Sequence, residues 1–121
     1  MTERIAIGIG CTTQATSEDM IALIKNCITD FHPGSLLATL DRRADIAGIV
    51  ADQLGLKLML FSASQLAQTT GTTIHSPRAM EEVGTGSVAE AAALTALGPA
   101  ARLLIARRTG NRCTCAIAML P

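Results

Sequence analysis

Aromatic side chains are almost absent: the 121 residues include two Phe and neither Trp nor Tyr. Single-stranded nucleic acid stacks its bases on such rings, so that role lacks its usual platform. Net charge is missing as well, because 10 basic residues balance 10 acidic ones and leave no long-range field to attract a phosphate backbone. A nucleic-acid partner is excluded on both grounds. No apolar run approaches the roughly 20 residues that cross a bilayer. The opening MTERIAIGIG has neither the basic start nor the long apolar centre of a signal peptide, so no membrane partner is expected and a cytoplasmic location is. Cysteine is present at Cys11, Cys27, Cys113 and Cys115, without the secretory context of a disulfide framework. No second Cys or His pair stands at metal-site spacing, so no metal and no cofactor is expected.

What is there is aliphatic. Apolar residues make up 49% of the chain and charged ones 17%, enough for one core of Ile, Leu, Val, Ala and Met in a single domain spanning residues 1–121. Ile5 to Ile9 reads as a buried strand bounded by Gly10. Met20, Ile24, Cys27, Ile28 and Phe31 then recur at helical spacing up to the HPG turn, where Pro33 forbids continuation. The alternation repeats: SLLATL is a second strand, and Ile46, Ile49, Val50 and Leu54 form the stripe of a second helix closed by Gly55. LKLMLF is a third strand, and Ser62 with Gln65 makes a capping box for a short third helix. TTGTTIHSPR, residues 69–78, is the longest stretch of turn chemistry and reads as a loop. In GTGSVAEAAALTALGP, Ser87 and Glu90 suit another capping box, alanines let the helix lie close to a sheet, and Gly98 with Pro99 ends it. RLLIA, a turn around RRTGNR, and CTCAIAML read as a β-hairpin whose last strand is antiparallel to its neighbour. The pattern predicts an α/β layered domain: a largely parallel mixed sheet of about five strands, helices on both faces, and a C-terminal β-hairpin.

The stretch GIGCTTQATSED, residues 8–19, invites three readings. As a dinucleotide loop it fails, because the third glycine position holds Thr13, and it lacks the Gly-Lys pair of a Walker loop. Thr16 and Asp19 suit a capping box, and Glu18 and Asp19 occupy the helix's first turn, where they already complement the dipole a phosphate would use. As a thiol enzyme, Cys11 lacks a base partner evident in the sequence. The third reading is a strand-to-helix turn that also lines a pocket. Thr39, Asp41 and Arg42 fall just past the carboxyl end of the second strand, beside the Cys11 loop if the first two strands are parallel, and ligands of open α/β sheets bind at that edge. Asp41 equally suits a cap for the next helix. The second glycine loop offers another helix N-terminus, with Glu90 competing for its field. His32 reads as a surface turn residue, His75 as a loop residue that sometimes reaches a ligand, and Cys113 and Cys115 as packed or facing a pocket. Arg102, Arg107, Arg108 and Arg112 form a solvated face or meet a polycarboxylate.

Taken in order, GIGC with its hydroxyl-rich turn and SED, then ATLDRRADIAGI, FSASQLA, GTGSVAEAAAL and CTCAIAM, resemble the CobE family of cobalamin biosynthesis, which is homologous to the C-terminal domain of CbiG, the cobalt-precorrin hydrolase. The resemblance covers essentially the whole chain. It implies a protein of corrin-ring assembly whose loops at Gly8 to Thr13, Thr39 to Arg42 and Gly84 to Glu90 form one pocket. The substrate-binding residues expected on that basis are Gly10, Cys11, Thr12, Thr13, Thr39, Asp41, Arg42, Gly84, Gly86, Ser87 and Glu90, with no catalytic residue among them. The family commonly carries Arg or Lys after GIGC, where this chain has Thr12 and Thr13, which removes a cation from the pocket mouth. Three functions follow: binding of a precorrin or hydrogenobyrinic acid type tetrapyrrole, hydrolysis of a precorrin lactone or C–C bond using Cys11, Asp41 or His75, and docking on the cobalamin-pathway methyltransferases.

Overall fold

A computed structural model describes residues 4–12, 14–28, 35–67, 88–98 and 100–120. Strand β1 (Arg4–Cys11) leads to helix α1 (Ser17–Cys27), and β2 (Leu36–Leu40) leads through a 3-10 turn (Asp41–Arg43) to α2 (Ala44–Leu54). Then come β3 (Lys57–Phe61), α3 (Ala63–Ala67), α4 (Val88–Leu97), β4 (Arg102–Thr109) and β5 (Cys113–Leu120). The five strands form one sheet in the order β3-β2-β1-β5-β4. β1 pairs parallel with β2 and β2 with β3, whereas β5 runs antiparallel to both of its neighbours, β1 and β4. Four strands therefore share one direction and β5 alone opposes them, as the largely parallel α/β reading with a C-terminal hairpin requires.

The capping residues act where their spacing placed them. Thr16 and Asp19 exchange hydrogen bonds at 3.1 Å each, opening α1 with a complete capping box. Ser62 and Gln65 do the same before α3. α2 closes on Gly55, whose φ of 69° is a left-handed conformation that a side chain would strain.

Helices cover both faces. Ile7 and Ile9 of β1, Leu37 of β2 and Ile117 of β5 pack against Met20, Leu23 and Ile24 of α1 and Val50 and Ala51 of α2. On the other face, Ala38, Leu40 and Phe61 pack against Leu66 of α3 and Ala91 and Ala92 of α4. α4 presses so close to β1 that a Cβ at Gly8 would overlap the Ala89 carbonyl oxygen and stand 2.7 Å from the Ala93 nitrogen. The alanines of GTGSVAEAAAL thus fit a helix laid directly on a glycine of the central strand.

Three expectations need correction. Ile49 was expected on the buried stripe of α2 but is 50% exposed, and Ala47, Val50 and Ala51 carry the contact instead. α1 is one turn shorter than its apolar spacing suggests, because Ile28 already has an extended backbone at the C-cap; Phe31 and Pro33 lie outside the described residues. Arg107, Arg108 and Thr109 belong to β4, so the hairpin turn is confined to residues 110–112, with Arg112 at a φ of 65°. β4 carries two register shifts against β5, between Leu103 and Ile105 and between Ile105 and Arg108. Such bulges twist an edge strand and blunt its capacity to pair with another chain.

Candidate ligand-binding site

Strand ends and helix starts converge at the carboxyl edge of the parallel strands. β1 and β2 stay paired only from Ala6↔Leu36 to Gly8↔Ala38, although β2 continues to Leu40 and pairs with β3 through Leu40↔Phe61. Beyond Gly8 the first two strands part. Thr39, fully buried, spans the gap with a 2.8 Å hydrogen bond from its hydroxyl to the Ile9 carbonyl. A β-branched hydroxyl residue can do this because its Oγ takes the place of a ladder donor while its methyl packs.

The lip of the gap is tied down by one cation. The 3-10 turn after β2 swings Arg43 back over β1, where its Nε donates to the Cys11 carbonyl at 3.2 Å. Thr12 donates its N–H to the Arg112 carbonyl at 3.0 Å, joining the same lip to the β4–β5 turn. From the other face, Val88 at the start of α4 stands 3.4 Å from a Cβ position at Gly10. The Thr114 hydroxyl donates to the Gly10 carbonyl at 3.3 Å. A Cβ at position 10 would stand 2.8 Å from that hydroxyl oxygen, so a larger residue there displaces the Thr114 side chain, whereas Val88 is at ordinary contact distance.

The structure therefore brings Gly10, Cys11, Thr12 and Thr39 together, with Asp41 and Arg42 exposed on the adjoining turn. Asp41 does not cap α2: it opens the 3-10 turn, and its carbonyl accepts from the Ala44 N–H. Thr13, Gly84, Gly86, Ser87, His32 and His75 lie outside the described residues. Glu90 is fully buried, and its carboxylate accepts the Arg107 backbone N–H at 2.9 Å, at the second bulge of β4. Arg43 and Asn111 were not singled out from the sequence. ATLDRRAD held the clue to Arg43, since a turn three residues long after the strand rotates the second arginine, not the first, toward β1.

Asn111 donates to Asp19 at 3.1 Å, fastening the hairpin turn to the start of α1. The Asp19 carboxyl is held below its ordinary range, first by the Thr16 backbone N–H and further by the Asn111 amide and the Arg112 charge, against a smaller opposing effect of desolvation. A depressed folded-state value stabilises the protein above the unfolded carboxylate range and loses that contribution as pH falls through the folded value. Urea midpoints measured from neutral into acid pH are expected to fall across that window in the wild-type protein and to fall less in Asp19→Asn.

Two other thiols carry information. Burial pushes Cys113 up to about 11, with the Asp19 carboxylate adding to it, and burial pushes Cys115 higher still. Both stay protonated at neutral pH, so neither is the thiolate that would start an attack, and either reacts only by giving up its proton in the step. Among the described residues no three His, Cys, Asp or Glu side chains are arranged to hold a metal ion. No helix among them is long and apolar enough to cross a membrane.

An open, mixed α/β sheet with helices on both faces, whose first two strands separate at their carboxyl edge, defines a small domain of the open α/β class. The chain belongs to the family described as Cobalamin synthesis G C-terminus, whose profile matches residues 5–118. It is similar to the crystal structure of CobE, a protein from the cobalamin (vitamin B12) biosynthetic pathway, at 29% identity and a TM-score of 0.79, covering 100% of this chain and 93% of that one. It is also similar to cobalamin biosynthesis protein chiG from Agrobacterium tumefaciens, at 30% identity and a TM-score of 0.70, over 96% and 98% of the two chains. A cobalamin biosynthesis protein G homologue from Sulfolobus solfataricus shares the fold at 18% identity and a TM-score of 0.74, with 38% of its length covered. No curated protein matches the chain. The family places this domain in cobalamin biosynthesis.

Proposed function

We propose that the domain binds a precorrin or hydrogenobyrinic acid type tetrapyrrole at the carboxyl edge of β1 and β2 and assists corrin-ring assembly without catalysing a step itself. The observation that carries this reading is the parting of β1 from β2 beyond Gly8 and Ala38, bridged by the Thr39 hydroxyl and walled by Gly10, Cys11 and Thr12. Corrin precursors carry several carboxylates around the ring, and arginine suits them through paired N–H donors. Arg42 and Arg43 stand on the turn beside the gap, and Arg112 on the hairpin turn joined to it. They supply the cations that Thr12 and Thr13 do not.

Visible-absorbance titration of the purified protein with hydrogenobyrinic acid and with precorrin intermediates tests it. A saturable spectral change is expected, weakened about tenfold in Arg42→Ala, the loss of one charge-assisted contact of about 1.4 kcal/mol. Absence of any saturable change with every tetrapyrrole tried sinks the reading, and conversion of the intermediate detected by mass spectrometry replaces binding with catalysis.

A further inference from the structure

The chain's four cysteines, drawn from β1, α1 and β5, meet on the α1 side of the sheet. Cys113 and Cys115 are buried, and Cys11 and Cys27 are half-buried against the cluster that contains Ile7, Ile9 and Met20. Cys11 stands directly opposite Cys113 in the β1–β5 ladder. Opposed residues of an antiparallel pair project to the same face. The neighbouring rung defines the kind of pair. Thr12 donates to the Arg112 carbonyl at 3.0 Å, so positions 12 and 112 form the hydrogen-bonded rung and positions 11 and 113 the non-hydrogen-bonded one. In that kind of rung the Cα atoms are about 4.5 Å apart and the side chains at their closest. A disulfide spans Cα separations of about 4.4 to 6.8 Å, so the rung admits one without backbone movement, at the short, strained and easily reduced end of the range. Cys115 is placed differently: it faces Ile9 across the ladder, within the cluster that Cys27 of α1 packs against.

We propose that Cys11 and Cys113 form a reversible disulfide across β1 and β5 when the protein meets a peroxide. The Cys11 sulfur attacks one oxygen of H2O2, becoming a sulfenic acid as water leaves. The Cys113 sulfur then displaces the sulfenic hydroxyl, which departs as a second water with the Cys113 proton. Two thiols and one peroxide give one disulfide and two waters, the sulfurs losing the two electrons that the peroxide gains. Half-buried Cys11 is the sulfur reached first, and buried Cys113 is the resolving partner. The bond ties the end of β1, whose Cys11 carbonyl receives Arg43, to the start of β5. This inference is independent of which ligand the site takes.

The test is a thiol count and a non-reducing peptide map of the folded wild-type protein after H2O2 treatment and alkylation. The count is expected to drop from four thiols to two and to return to four with dithiothreitol. Trypsin separates Ile5–Lys25, which holds Cys11, from Asn26–Arg42, which holds Cys27, and from Cys113–Pro121. A cross-link between the first and last peptides is expected. It should survive in Cys115→Ser and in Cys27→Ser and vanish in Cys113→Ser, each variant checked for folding by circular dichroism. Four thiols remaining after treatment, a cross-link from Asn26–Arg42, a bridge within Cys113–Pro121, or loss of the cross-link in Cys115→Ser would each overturn the proposal.

Discussion

Gly8→Ala is expected to destabilise the domain by about 3 kcal/mol or more, at the upper end of what overpacking a core costs. The added methyl meets not a flexible side chain but the Ala89 carbonyl oxygen and the Ala93 nitrogen, both backbone atoms of α4. Relief therefore requires the helix to move away from the sheet as a body, loosening Ala91 and Ala92 from Ala38, Leu40 and Phe61. In thermal unfolding the expected shift is about 10 to 15 °C downward for a domain of this size. A midpoint within about 2 °C of wild type would show that α4 does not sit on β1 as described. The variant is informative for function too, because α4 begins beside Gly10, and displacing it changes the wall of the proposed site even in molecules that stay folded.

Glu90→Ala is expected to cost about 2 to 4 kcal/mol, and Glu90→Gln about 1 kcal/mol. The bulge between Ile105 and Arg108 turns the Arg107 N–H out of the β4–β5 ladder, and the Glu90 carboxylate receives it in a fully buried position. Alanine strands that N–H in the interior and leaves a void. Glutamine keeps an oxygen of the same reach and loses only the strengthening that a charged acceptor provides. Urea denaturation of both variants gives the ranking. The resemblance placed Glu90 in the substrate pocket, and the same proteins titrated with hydrogenobyrinic acid separate the two roles. A pocket residue changes affinity at unchanged stability, whereas a bulge anchor changes stability first, with glutamine rescuing most of it.

Much of the fold was legible because its signals are local. Thr16 with Asp19, Ser62 with Gln65, and Gly55 act within one helical turn, and each works where its spacing placed it. The strand–helix alternation was legible for the same reason. Strand order was not, since nothing in Ile5 to Ile9 tells that its second neighbour is the last strand of the domain. The errors follow from the same limit. Ile49 continues an apolar period but lands on the outer side of α2, where alanines on the inner side already fill the narrow space. Arg107 and Arg108 look like turn residues, yet both belong to the edge strand β4, where Arg108 is exposed and Arg107 half-buried. In the site, Thr39 was legible from its place at a strand end. The grip of Arg43 on Cys11 and of Asn111 on Asp19 joins residues separated by 32 and 92 positions, a distance no local pattern reports.

The pairing of β1 with β5 runs unbroken from Arg4↔Leu120 to Cys11↔Cys113. The central strand of the sheet is thus made first and receives one of its two neighbours last. During vectorial synthesis β1 can meet β2 early, but its other flank stays open until β5 has left the ribosome. Until then Ile7 and Ile9 lack the cover of Cys115 and Ile117. Closing so long a loop is slow compared with forming the local strand–helix units. The nascent chain consequently spends its most aggregation-prone interval with half a sheet, and release of its final strand is the event that ends it.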